Sequence, residues 1–300
     1  MSRAGHRPLR TLVVICAYNE ENSIATPVAQ AIREGFEVLV VDDGSEDRTS
    51  EIAKAHGAEV IRNDVRGGKA LALSRAISYA KEHEYEAIIE VGADAVPVEG
   101  GISRLYRYLT LPSVGGVSAR QIPLGSGPAY RIDELMWSIL AEGKSLQQRL
   151  GRQVHLGAVM YGAKLRHIRA VAGVINDDEF VGILVSRDGG KNYFAEDCVA
   201  YFDASSSIKH LFNRRKRMIL GHLQLGKSTA PSMQPSILTA ATLLAIVKKT
   251  SRLMWLVPAL IIEIAARLSA FRDSRKVDKL AEYVRWHTHG MKKPIQRHVT

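Results

Sequence analysis

Apolar runs and polar breaks alternate with a regular beat through the first hundred positions. Residues 11–16 form a nearly continuous apolar run, which ends in Ala17-Tyr18-Asn19-Glu20-Glu21. A strand buried on both faces reads this way. Residues 23–34 carry Ile24, Val28 and Ile32 at helical spacing, and Gly35 stops them. Residues 36–41 predict a second strand. Asp47-Arg48-Thr49-Ser50 then caps a helix bearing Ile52, Ala53 and Ala55, closed by Gly57. Residues 58–62 predict a third strand. Gly67-Gly68-Lys69 opens a helix with Leu71, Ala72, Ile77 and Ala80, and residues 85–91 predict a fourth strand. This alternation predicts an α/β fold, with a mostly parallel sheet, right-handed crossovers and flanking helices.

The middle of the chain continues the pattern less regularly. A helix is expected over 101–109 and a strand near 115–119. A helix over 130–150 carries Leu135, Ile139 and Leu146 on one side. The short apolar stretch 156–161 predicts a strand. Asn176-Asp177-Asp178-Glu179 starts a helix with Phe180, Ile183 and Leu184. Residues 193–202 read as one or two strands, and Ser205-Ser206-Ser207 caps a helix from Ile208 towards His222.

Beyond 226 the character changes, which divides the chain into a tail (1–10), a main domain (11–225) and a helical C-terminal region (226–300). Residues 228–236 are a connector. Residues 237–247 are apolar but short for a bilayer, whereas 253–271 is nominally long enough. That second stretch contains Pro258, Glu263 and Arg267, and charges inside a span are costly. A helix lying in a membrane interface, or a re-entrant one, is the expectation, with the polar stripe turned to water or protein. A true span and a core helix are the alternatives.

Composition sharpens this picture in two ways. The chain has 300 residues, 46% apolar and 24% charged, as in a globular protein with a sizeable core. Its net charge of +10 suggests nucleic acid, anionic lipid or a phosphorylated substrate. The excess is concentrated from Asn213 onward, which favours a localised basic surface. Cys16 and Cys198 sit in apolar runs and read as buried reduced thiols of a cytoplasmic protein. No Cys/His cluster suggests zinc, and the basic start lacks the apolar stretch of a signal peptide.

The polar breaks carry the candidate chemistry. Adjacent carboxylates at a strand end, Asp42-Asp43-Gly44-Ser45, need donors or a cation, unless they merely cap a turn. Arg66-Gly67-Gly68-Lys69 presents backbone N–H groups at a helix start, which suits a phosphate, although the P-loop pattern is absent. Asp94 follows a strand between small residues and suits a magnesium site that uses few carboxylates. Asp47, Asp64 and the Asp177-Asp178 pair are expected to converge with these acids on one site. Asp177-Asp178-Glu179 offers a general base, or else a helix N-terminus. Arg214 and Arg217 share a helix face that can clamp a diphosphate. His155 and His222 read as packing or hydrogen-bonding histidines, and Trp137, Trp255 and Trp286 as core or interface anchors.

In this order the motifs resemble the family 2 glycosyltransferases, which have the GT-A fold. The residues carrying the resemblance are Ala17 to Glu21, Val41 to Thr49, Gly68-Lys69-Ala70, Gly92-Ala93-Asp94, Asp177-Asp178-Glu179 and Arg214 to Met218. Within the family the chain resembles short membrane-associated relatives of the processive polysaccharide synthases. Two departures stand out: Gly92 replaces the first acid of the usual Asp-x-Asp, and Met218 replaces a Trp.

The resemblance implies that Ala17, Tyr18, Glu20, Asp42, Asp43, Lys69 and Ala93 line the nucleotide site, and that Asp94 holds Mg2+ or Mn2+. It makes Asp178 the base, with Asp177 and Glu179 as alternatives, and gives the diphosphate to Arg214 and Arg217. The implied activity is inverting transfer from a nucleotide-sugar, UDP-linked by expectation, to a glycan or lipid-linked acceptor. The implied location is the cytoplasmic face of a membrane, contacted through 237–271, with no nucleic acid partner. A catalytically impaired, membrane-bound relative is the competing reading. A nucleotidyltransferase would need a Gly-rich opening after the first strand, and a Rossmann oxidoreductase a GxGxxG; neither is present.

Overall fold

The structure is a computed structural model that describes residues 8–227 and 253–275, apart from 158, 170 and 172. The first half alternates as expected: β1 (Thr11–Ala17), α1 (Ala25–Arg33), β2 (Glu37–Asp42), α2 (Thr49–Ala55), β3 (Glu59–Arg62), α3 (Lys69–Glu82) and β4 (Ala87–Val91). Then follow β5 (Val96–Pro97), α4 (Gly101–Leu109), β6 (Val114–Leu124), α5 (Gly127–Arg149), β7 (Met160–Lys164), α6 (Asp177–Arg187), β8 (Lys191–Asp203) and α7 (Ile208–Lys227). The last described helix is α8 (Leu256–Asp273). The eight described strands form one sheet in the order β3-β2-β1-β4-β7-β6-β8-β5. β1 pairs in parallel with β2 and β4, while β7 runs antiparallel between β4 and β6.

Strand alternation explains the apolar runs. Val13 and Ile15 of β1 face a core with Val28 of α1 and Ile102 and Leu105 of α4. Leu12 and Val14 face the opposite core, with Leu73 and Ile77 of α3 and Val181 and Val185 of α6. Each such fully buried side chain contributes about 1.5–3 kcal/mol. Both faces of the central strands are covered, so both phases of the alternation in β1 and β2 are apolar between the strand ends.

Two boundaries differ from expectation. The strand expected over 156–161 lies at Met160–Lys164, because β4 offers partners only from Val91↔Met160 to Ala87↔Lys164. Leu156 is buried without pairing and packs among α6 and sheet residues. β6 runs on to Leu124 and pairs in parallel with β8 throughout. β8 is a single strand: its register against β6 jumps from Ala195 to Val199, so residues 196–198 bulge out.

Residues 237–247 lie outside the described part, as does Trp286. No described helix is long and apolar enough to cross a membrane. α8 packs Ala259 and Ile262 against Ile132, Leu135 and Ile139 of α5, and Ala266 and Ala270 against Ile219 and Leu220 of α7. Its charged stripe splits. Glu263 is 1% exposed and accepts from Arg215 Nε (3.0 Å) and Nη2 (2.8 Å) of α7, while Arg267 contacts it from the more exposed side at 2.8 Å.

Candidate active site

The C-terminal ends of β1, β2 and β4 open into a cleft of about 730 Å³, walled on its far side by α5, α6 and α7. Open α/β sheets bind ligands at this edge. Ala17, Tyr18, Glu20, Asp43, Lys69, Ala93, Asp94, Asp177, Asp178, Arg214 and Arg217 all line it.

Asp42 does not. It is the last residue of β2, and successive side chains point to opposite faces, so only one of two adjacent acids can face the cleft. Asp42 is fully buried, accepts from Ser45 N (2.8 Å) and Ser50 Oγ, and lies 3.7 Å from Arg62 Nη1. Its role is to fix the loop that follows. Asp47 likewise caps α2, accepting from Thr49 N at 3.0 Å, and Asp64 is an exposed loop residue outside the cleft.

Asp43 is the acid the cleft receives. Its Oδ1 accepts from Asn63 Nδ2 (2.7 Å) and Gly67 N (2.9 Å), and its Oδ2 from Gly68 N (2.7 Å). The glycine N–H groups expected to cradle a phosphate therefore bind this carboxylate instead. Gly68 has φ of 91°, a conformation that favours glycine and turns its N–H inward. Beside Asp43, the Arg66 guanidinium lies 3.8 Å over the Tyr18 ring.

The centre of the cleft is densely charged. Lys69 Nζ lies 3.1 Å from Glu90 Oε1 and 3.5 Å from Asp177 Oδ2. Burial alone would lower Lys69, but Asp177 and Glu90 outweigh it and hold the ammonium well above its usual value. Glu90 is fully buried, and burial pushes it up to about 7 against the pull of Lys69. Asp178 is pushed up to about 6, first by burial and then by the Asp177 charge. Of the three consecutive acids, Asp177 is tied to Lys69, while Glu179 turns away to accept from Asn176 Nδ2 (3.2 Å) and contact His222 Nδ1. His155 and His222 belong to this buried network, as expected, although His155 also touches the cleft.

The basic wall comes from α7. Arg214 pairs with Asp133 of α5, and Arg217 donates to Ile175 O at 3.0 Å. Asp94 sits at the turn after β4, where a Cβ at position 92 would come within 3.3 Å of its Oδ1, so Gly92 leaves that oxygen room. Among the described residues, no group of three or more His, Cys, Asp or Glu could hold a metal alone. Asp94 fits the other kind of site, in which one carboxylate shares the ion with phosphate oxygens and water.

Several lining residues escaped the sequence reading. Glu90 stands inside an otherwise apolar strand, and that interruption was its signal. Lys144 occupies the buried face of α5, four residues after Leu140, and burial lowers it to about 8. Trp137 is not a plain core anchor: it borders the cleft, edge-on to Phe202 at 5.2 Å.

Comparison with known proteins follows this geometry. Residues 12–157 match the family described as glycosyl transferase family 2. The uncharacterized protein MJ1222 of Methanocaldococcus jannaschii is 41% identical over 83 residues, 27% of this chain and 34% of that protein. The aligned stretch thus spans about a third of that relative's own length. Two crystal structures of glucosyl-3-phosphoglycerate synthase from Mycobacterium tuberculosis share the fold. One, with Mg2+ and UDP, has a TM-score of 0.54 at 19% identity, covering 74% of this chain and 80% of that one. The other, with Mn2+, UDP and phosphoglyceric acid, has a TM-score of 0.52 at 20% identity, covering 74% and 79%. Residues 12–157, just under half of the chain, thus carry a glycosyl transferase family 2 match, and the chain shares its fold with these two structures.

Proposed function

We infer that the protein is an inverting glycosyltransferase that moves a sugar from a nucleotide-sugar, UDP-linked, to a hydroxyl of a glycan or lipid-linked acceptor. The observation that carries this reading is the cleft itself. Asp43, Asp94, Asp178 and the Arg214/Arg217 pair, from four separate stretches of sequence, border one space.

Each residue has a derivable part. A carboxylate has about four lone-pair sites, and donors within the protein occupy three on Asp43; the remaining site on Oδ2 suits an N–H of the base. The guanidinium groups of Arg214 and Arg217 neutralise the diphosphate as the anomeric C–O bond breaks. Bound at Asp94, Mg2+ or Mn2+ would supply Lewis-acid stabilisation of the same leaving group. Asp178 takes the proton of the acceptor hydroxyl while that oxygen attacks the anomeric carbon from the opposite side. Its raised value of about 6 keeps it ionised at neutral pH yet basic enough to work. Lys69 restrains Asp177, and the His222 network holds Glu179, which leaves Asp178 as the base.

A panel of UDP- and GDP-sugars, read by release of the nucleoside diphosphate with Mn2+ present, tests this reading. Release from one donor supports it. No release from any donor would favour the catalytically impaired alternative.

The outer face of the C-terminal helix supports a membrane location. Val257, Ile261, Ile264, Leu268 and Phe271 are each more than half exposed, and Met254 in the preceding turn is 73% exposed. Exposed Arg267, Arg272 and Arg275 lie beside this stripe. An apolar stripe flanked by cations fits an anionic lipid surface, such as that of the cytoplasmic leaflet. Co-sedimentation with phosphatidylcholine vesicles containing phosphatidylglycerol, but not with phosphatidylcholine alone, is expected. Ile261→Glu with Leu268→Glu should abolish it. A lipid-independent dimer that the same substitutions dissociate would overturn this and assign the face to a second copy.

A further inference from the structure

The cleft's inner wall holds two donors that the proposed transfer does not use. Lys144 is 6% exposed and Gln121 is 7% exposed, yet both border the cleft. Among the described residues Lys144 Nζ has one polar side-chain contact, a long one to Ser118 Oγ at 3.4 Å. No carboxylate lies within ion-pair distance of it among the described residues. Gln121 Nε2 is buried and has no hydrogen-bond partner among the described residues. A buried ammonium without a counter-charge and a buried amide without an acceptor are both costly, and proteins keep few of them without a reason.

The two donors also converge. Gly157 follows α5 at the edge of the same cleft. A Cβ built there would run into Lys144 Nζ and lie 2.6 Å from Gln121 Nε2. Both nitrogens therefore pack over the same glycine Cα, and a residue with a side chain at 157 would push them aside. His155, beside them, is pushed down to about 3, chiefly by burial, so it stays neutral and adds no competing cation. The Asp178 charge is felt at Lys144, which sets the pair close to the candidate base rather than at the nucleoside end.

We propose that Lys144 Nζ and Gln121 Nε2, meeting over Gly157, form a subsite for an anionic substituent on the substrate, a carboxylate or a phosphate. An ammonium and an amide N–H side by side match the two oxygens of such a group, and a bound anion would satisfy both buried donors at once. This inference rests on reading the cleft as a nucleotide-sugar site. The substituent could belong either to the transferred sugar or to the acceptor, since both meet near Asp178.

Equilibrium binding to the full chain separates these possibilities. The donor arm compares UDP-glucuronic acid with UDP-glucose in the presence of Mn2+. The acceptor arm compares glycerol 3-phosphate with glycerol, and glucuronic acid with glucose, in the presence of UDP and Mn2+. The expected result is at least a tenfold preference for the anionic member in one arm. Lys144→Met should erase that preference, and Gln121→Met should reduce it, with UDP affinity unchanged in both. Thermal melting checks that the variants fold; replacing a buried ammonium by an isosteric apolar chain should hold or raise the midpoint. No preference in either arm while UDP binds, or a preference that survives Lys144→Met, overturns the subsite. Failure of the wild-type protein to bind either UDP or GDP would overturn the nucleotide-sugar reading, and the subsite with it.

Discussion

Asp178→Asn should weaken the enzyme and strengthen the fold. An ordinary aspartate ionises near 3.8, whereas Asp178 is held at about 6, mainly by burial and then by Asp177. A displacement of roughly two units corresponds to on the order of 3 kcal/mol, at about 1.4 kcal/mol per unit. The sign follows from proton binding. The folded state holds this proton more tightly than the unfolded chain, so stability is greatest below about 4 and falls as pH rises through about 6. At pH 7.5 the charged carboxylate costs the fold that energy, and Asn removes the cost while giving up the attraction to Lys69. A net gain of roughly 1–3 kcal/mol is expected at pH 7.5, and little or none at pH 4. Transfer should fall by about 10²–10⁴, the usual contribution of a positioned base. Melting curves at the two pH values, paired with nucleoside diphosphate release at saturating donor, measure both effects. Wild-type turnover should climb with pH to a plateau above about 6. Near-normal transfer with donor still bound would refute the base assignment. Equal destabilisation at both pH values would refute the electrostatic account and make the carboxylate a structural acceptor.

Asp94→Asn should abolish stimulation of turnover by Mn2+, and EDTA should do the same to the wild type; EDTA-resistant turnover would remove Asp94 from a metal role. Glu263→Gln breaks a buried pair and should cost about 3–5 kcal/mol in urea unfolding. The double variant Arg215→Met/Glu263→Leu should recover most of that loss. Gly115→Ala would place a Cβ 2.6 Å from Val185 Cγ1 and 3.1 Å from the Gly190 backbone, and should cost about 1–3 kcal/mol by overpacking.

How much of this was legible in the sequence depended on where a polar residue sat. Acids at the ends of apolar runs announced themselves, and Asp43, Asp94 and Asp178 line the cleft they were expected to share. The choice between Asp42 and Asp43 was not legible, because it requires the phase of the alternation in β2. Nor was the fate of the Gly67 and Gly68 N–H groups, which look free for phosphate until the chain folds and Asp43 claims them. Glu90 and Lys144 were passed over for the opposite reason. They lie within a strand and on a helix's buried face, where a charge looks like noise in an apolar pattern. The strand displaced from 156–161 to Met160–Lys164 failed on pairing: an apolar run says that residues are buried, not which neighbour bonds them.

The family match ends at residue 157, and the groups proposed to act on the leaving diphosphate and the acceptor come after it. Asp43 and Asp94 belong to the matched half, whereas Asp178, Arg214 and Arg217 are presented by α6 and α7. These late residues are held by contacts that motif comparison does not see. Helix geometry puts Arg214 and Arg217 on one face of α7 and turns Arg215 away from them. Arg214 is braced by Asp133 of α5, and Arg215 is gripped by Glu263 of α8. α8 therefore fixes the rotation of α7, and with it the aim of the two arginines that border the cleft. Loosening that grip should cost more than stability: at temperatures where Glu263→Gln remains folded, the affinity for UDP should fall while Asp43 and Asp94 are untouched. An unchanged UDP affinity in that variant would separate the C-terminal helix from the site and leave it a purely structural buttress.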